Sequence, residues 1–164
     1  MRLHTKNITQ IALISCLGII LGYVENLIPI FKTLPGVKIG ISNIVLLYAI
    51  VRLGYKEVLT VGIIKAVVSG FLFSGVMSIM YSLAGVLLSV TVMWLLLKFY
   101  PQKISLIGIS VSGSACFNIG QIIVCCIILL STAPLYYLVF LLLCSVFSGA
   151  VTGYVTKLLL DRGI

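Results

Sequence analysis

Between Lys103 and Lys157 the chain reads ISLIGISVSGSACFNIGQIIVCCIILLSTAPLYYLVFLLLCSVFSGAVTGYVT, from Ile104 to Thr156, without a single Asp, Glu, Lys, Arg or His. An apolar run of about 18 or more residues is long enough to cross a bilayer as a helix. This stretch has room for two, turned at Ser131-Thr132-Ala133-Pro134. Around it, 62% of the 164 residues are hydrophobic and 9% are charged, with a mean hydropathy of +1.31. A soluble domain carries about a quarter charged residues, so a water-facing enzyme is excluded. The fold expected is all-α: a polytopic membrane protein that forms one integral-membrane domain over residues 1–164.

Gly and Pro punctuate the rest of the chain. They predict six transmembrane helices, over about 7–27, 39–51, 57–73, 78–99, 104–130 and 135–160. The second is short. Breaks fall at Pro29 to Gly36, Arg52 to Lys56, Ser74-Gly75, Pro101 to Lys103 and Ser131 to Pro134.

The formal net charge is +8, from 11 Lys+Arg against 3 Asp+Glu. On a soluble domain that excess would suggest nucleic acid. Here it marks cytoplasmic loops by the positive-inside rule, and no nucleic-acid partner is expected. With both termini cytoplasmic, Arg2, Lys6, Arg52, Lys56, Lys98, Lys103, Lys157 and Arg162 all fall inside, and the turns near Ser74 and Thr132, which carry no charge, fall outside. Lys32, Lys38 and Lys65 break the rule.

The acidic residues are Glu25, Glu57 and Asp161. That is too few for carboxylate clusters around Mg²⁺ or for paired-carboxylate catalysis, unless two of these distant residues meet. No catalytic residue, cofactor or metal site is expected. Cys16, Cys116, Cys125, Cys126 and Cys144 form no CxxC pair, and the one histidine, His4, is near the N-terminus. Leu13-Ile14-Ser15-Cys16 resembles a lipoprotein cleavage site, but Leu17 to Val24 stays apolar, so the first segment reads as a retained helix.

Three features carry candidate binding chemistry. Pro35-Gly36-Val37-Lys38-Ile39-Gly40-Ile41-Ser42-Asn43 places a cation and two glycines at the mouth of a helix, where free amides attract anions. It reads either as a lid over an anionic ligand or as an interfacial loop, with Glu25 pairing one of its lysines. Lys65, about 12 Å along its helix from Glu57, falls near mid-membrane, where an ionisable group is a functional hypothesis. The alternative is snorkelling toward the cytoplasmic side. Ser110, Ser114, Asn118 and Gln121 share one helix face, as a pocket wall or as an interhelical hydrogen-bond seam.

Small residues recur every four positions: Gly62, Ala66 and Gly70; Gly108, Ser112, Cys116 and Gly120; Ser145, Gly149 and Gly153. Such rows favour tight helix packing. The first helix has Ala12 and Cys16 on one face and Gly18 and Gly22 on another. One of those faces is free to dock a partner subunit.

The pattern Pro35-Gly36-x-Lys38-x-Gly40-x-x-Asn43, with Gly54-Tyr55-Lys56-Glu57, Ser82-Leu83-Ala84-Gly85 and Asn118-Ile119-Gly120-Gln121, resembles the bacterial Gx transporter family. That family is also labelled heptaprenyl diphosphate synthase component I. Phe117 stands where the family commonly has a histidine, which speaks against a proton relay there. Lys65 stands where an arginine is common, so the charge is kept without the bidentate geometry. The family is similar to the substrate-binding S components of energy-coupling-factor transporters. That resemblance implies a bundle with a cytoplasmic N-terminus in the bacterial cytoplasmic membrane. It also implies a small ligand, prenyl-, quinone- or flavin-related, and docking of a coupling transmembrane subunit with ATPases through Ala12 and Cys16. The chain carries no GxxxxGK[ST] loop of its own. The residues expected to hold the ligand are Glu25, Lys38, Asn43, Lys65, Ser114, Asn118 and Gln121. Two alternatives remain: a non-catalytic membrane partner of a prenyl synthase subunit in heptaprenyl diphosphate or menaquinone synthesis, and a structural subunit of a membrane redox complex.

Overall fold

The computed structural model describes residues 2–27, 42–100 and 103–162, with backbone alone for residues 2–7, 26 and 74. Among the described residues there is no strand. The helices are α1 (Arg2–Leu27), α2 (Asn43–Arg52), α3 (Tyr55–Ser69), α4 (Val76–Phe99), α5 (Leu106–Leu129) and α6 (Pro134–Asp161). A π-helical turn, Gly70–Ser74, continues α3.

α1, α4, α5 and α6 are long and apolar enough to cross a membrane. α2 is apolar but has only 10 residues, about 15 Å at 1.5 Å per residue. A bilayer's hydrocarbon core is about 30 Å thick, so α2 reaches half-way. Of the helix expected over 39–51, the described part is Asn43–Arg52, with Ser42 in a turn, and residues 39–41 lie outside the described residues. The expectation of six spans is thereby refined to six helices, four of them with full spanning length and composition.

The boundaries follow from local chemistry. The Ser105 hydroxyl accepts the Gly108 N–H at 3.1 Å and caps α5. Pro134, which lacks an N–H, opens α6. Gly75 adopts φ 81°, a left-handed conformation that glycine tolerates, and its N–H closes the π turn on the Gly70 carbonyl at 2.8 Å.

The packing is sequential, α3 on α4 on α5 on α6, with α1 against α3 and α2. The short α2 is enclosed, touching α1, α3, α4 and α6, and buries Val45, Leu46, Leu47, Ala49 and Ile50. The outer surface carries Phe71, Leu130, Tyr136 and Phe147, each more than two-thirds exposed. In lipid these side chains are solvated. Arg52, Lys56, Lys98, Lys103, Lys157 and Arg162 are exposed at one end of the bundle. Lys98 lies over the Trp94 ring at 4.7 Å, and Arg52 over Tyr48 at 5.8 Å, as basic and aromatic residues do at a membrane interface. The other end carries the π turn and the α5–α6 turn.

Glycines set the helix spacing. A Cβ on Gly120 would stand 2.7 Å from the Ala84 carbonyl oxygen, and one on Gly149 2.6 Å from Val111 Cα. Both obstacles are backbone. A Cβ on Gly18 would meet only the Lys65 stem and Val45, at 3.5 Å or more. We expect Gly120→Ala to destabilise the protein by about 1–3 kcal/mol and Gly18→Ala to be near neutral. Thermal unfolding in nanodiscs measures both, and equal effects would contradict this packing.

Candidate functional site

The N-terminus of α2 gathers side chains from three helices. On α3, Lys65 is 8% exposed, and its Nζ donates to Asn43 Oδ1 at 3.2 Å. On α1, Glu25 is 9% exposed and accepts the Ser42 hydroxyl at Oε2, at 3.3 Å. Formally opposite charges are thus tied to adjacent residues at one helix end. Ser42 is the N-cap, yet its side chain makes no cap hydrogen bond to the helix. Its hydroxyl is spent on Glu25. The amide end of a helix favours negative charge, and a cation beside it is the less favourable sign. The Lys65 ammonium is therefore held where only specific partners justify it. An ammonium at mid-bilayer costs about 3 kcal/mol on insertion scales.

α1 seats this lysine. Gly18 faces the Lys65 stem, and Gly22 faces Ser69 and Ser42. The spacing of four on α1 matches Lys65 and Ser69 on α3. The faces on α1 are thereby distinguished: Gly18 and Gly22 pack inward, whereas Ala12 and Cys16 are exposed. Two hydroxyls in this α1–α3 seam, Ser15 and Ser69, are buried without a hydrogen-bond partner.

Glycine contacts also fix the register across the bundle. Gly62 packs on Val86, Gly70 on Ile79, and Gly120 on Ala84 and Gly85. Lys65 on α3, Ser82 on α4 and Gln121 on α5 therefore lie at one level, within about one helical turn. Ser82 and Gln121 are buried. This layer joins the level of Asn43.

The polar face of α5 divides. The Asn118 amide donates to the Leu141 carbonyl of α6 at 3.1 Å, and Ser110 pairs with Thr152 at 2.7 Å. Both stitch the α5–α6 seam. Ser114 is buried beside Gly113, which packs on Met93 and Ser89, about 10 Å along α5 from Gln121. Gln121 is 7% exposed, and its Oε1 accepts no hydrogen bond. Lys32 and Lys38 lie outside the described residues. Among the described residues, no three His, Cys, Asp or Glu side chains converge as a metal site would require.

Sequence reasoning missed the Ser42–Glu25 bond and the role of Gly18 as the seat of Lys65, with Gly22 against Ser69 and Ser42. The paired four-residue spacings on α1 and α3 were the available signal.

These observations define a multi-pass helical membrane protein with a polar layer inside its bundle. The heptaprenyl diphosphate synthase component I family matches residues 13–159, and the chain belongs to that family. No curated protein and no solved structure gives a significant match.

The Lys65–Asn43 bond is directly testable. Asn43→Leu deprives the buried amine of that acceptor and should cost about 1–3 kcal/mol. In a Lys65→Met background the same change should cost little. A double-mutant cycle by thermal denaturation reads the coupling, and additive effects would show that the bond is absent in the bilayer.

Proposed function

We propose that the chain is a membrane-embedded binding and translocation subunit for a small anionic ligand, similar in kind to an energy-coupling-factor S component. The observation that carries this reading is Lys65, an amine buried beside a helix N-terminus that its own N-cap serine does not cap. A cation, helix amides and neighbouring hydroxyls are the groups that recognise carboxylate or phosphate. Lys65 attracts the anion, Asn43 and Gln121 orient the ligand, and Asn118 and Ser114 stiffen the wall. With the charged collar facing the cytoplasm, the ligand enters from the opposite end. The prenyl-, quinone- or flavin-related ligand class rests on the resemblance of the motifs. Energy for uptake comes from separate coupling and ATPase subunits, for which the exposed Ala12–Cys16 face of α1 is the docking candidate.

A second reading is favoured by the family description. As component I of a heptaprenyl diphosphate synthase, the chain acts as a membrane partner of a prenyl synthase subunit. We assign it no catalysis of chain elongation: its one aspartate, Asp161, sits at the end of α6, far along the chain from Glu25 and Glu57. Diphosphate-bound Mg²⁺ calls for converging carboxylates.

Native mass spectrometry of the protein, extracted gently from its own membrane, separates the two. The transport reading expects a retained anionic small molecule that is lost in Lys65→Met. That variant should keep its fold within about 1 kcal/mol, because relief of the buried amine offsets the loss of Asn43's partner. A ligand-free protein that co-purifies with a prenyl synthase would overturn the transport reading.

A further inference from the structure

Gln121 is the one member of the α5 polar face that is more than nine-tenths buried with an acceptor left over: its Oε1 accepts nothing, although Asn118, one turn away, has found the Leu141 carbonyl. In hydrocarbon a buried polar atom without a partner is costly, because no water replaces it. A second orphan lies on α6. Tyr137 of α6 packs against the Ile122–Leu141 pair, next to Gln121 along α5, and its hydroxyl is also buried and unpartnered. Two adjacent helices therefore each hold a buried polar atom without a hydrogen-bond partner. We infer that the ligand carries, besides its anionic group, a hydrogen-bond donor, an O–H or N–H, that Gln121 Oε1 accepts.

This inference rests on the binding-subunit reading and narrows its ligand class. The molecule is polar at two places: an anion for the Lys65 region and a donor for Gln121. A plain fatty acid or an unsubstituted prenyl diphosphate lacks the donor. A site built around a buried acceptor rejects the analogue that lacks the donor more strongly than an apolar pocket rejects an extra group.

The test uses the full chain in nanodiscs and two matched probe series. One consists of indole-3-alkanoates of graded chain length. The other consists of their N-methyl counterparts, which keep the carboxylate and the ring but lose the N–H. Binding is read by isothermal titration and by thermal shift, in wild type, Gln121→Leu and Lys65→Met. The expected result is that the best N–H probe binds wild type about tenfold more tightly than its N-methyl partner. The difference should vanish in Gln121→Leu, whose ligand-free melting temperature stays at or above that of wild type. In Lys65→Met neither series should bind. Equal binding of the two series to wild type, with both lost in Lys65→Met, overturns the donor inference and leaves the anion site standing. Binding indifferent to Lys65→Met overturns the anion-site reading beneath it. Tighter binding of the N-methyl series, or no binding by any member, also overturns the donor inference.

Discussion

A helix too short to cross a membrane must answer for its end groups, and α2 is such a helix. At 10 residues it spans half the hydrocarbon, and it is enclosed by four other helices. The bilayer supplies no water to hydrate its first turn. Around that terminus the protein assembles polar groups from three helices, with Glu25 on Ser42 and Lys65 on Asn43. A full-length second helix would carry its end away from Lys65. The half-helix and the buried amine are one feature.

Close helix approach keeps this layer enclosed. Gly120 lies against the Ala84 backbone, Gly149 against Val111 and Gly153 against Ile107, so α4, α5 and α6 pack almost backbone to backbone. Apolar side chains gain nothing by hiding from lipid, so van der Waals contact and interhelical hydrogen bonds hold such bundles together. The Ser110–Thr152 bond adds to both at the narrowest point of the α5–α6 seam. α1 is different. It packs only through its inward face, with Gly18 and Gly22 toward α3, and leaves Leu13, Leu17 and Ile20 more than half exposed.

Much of this was legible in the sequence. The uncharged stretch from Ile104 to Thr156 dictated two spans. The Pro and Gly breaks placed the turns, and the charge pattern grouped Arg52, Lys98 and Lys157 at one end. The outlying Lys65 was legible as well, because charge in an apolar run is expensive wherever the helix points. Contacts depending on rotation between helices were not legible. Ser42 falls inside the helix expected from the sequence, yet it precedes α2 and its hydroxyl turns to Glu25, a carboxyl that arrives from another helix. Gly54 and Gly120 look alike in sequence, but only Gly120 meets a neighbouring backbone.

The α5 face illustrates why spacing alone could not choose between pocket and seam. Asn118 and Gln121 are three positions apart, which at about 100° per residue leaves them about 60° apart around the helix. That is close enough to look like one stripe and wide enough to address different neighbours. Asn118 reaches across to α6 and is satisfied by a backbone carbonyl. Gln121 follows the glycine that pulls α5 against α4, so its rotation is set by the Gly120–Ala84 contact rather than by α6. The same close approach that stabilises the bundle thus holds the Gln121 carbonyl oxygen in the interior without a protein donor. Stability at Gly120 and unsatisfied chemistry at Gln121 follow from a single helix contact.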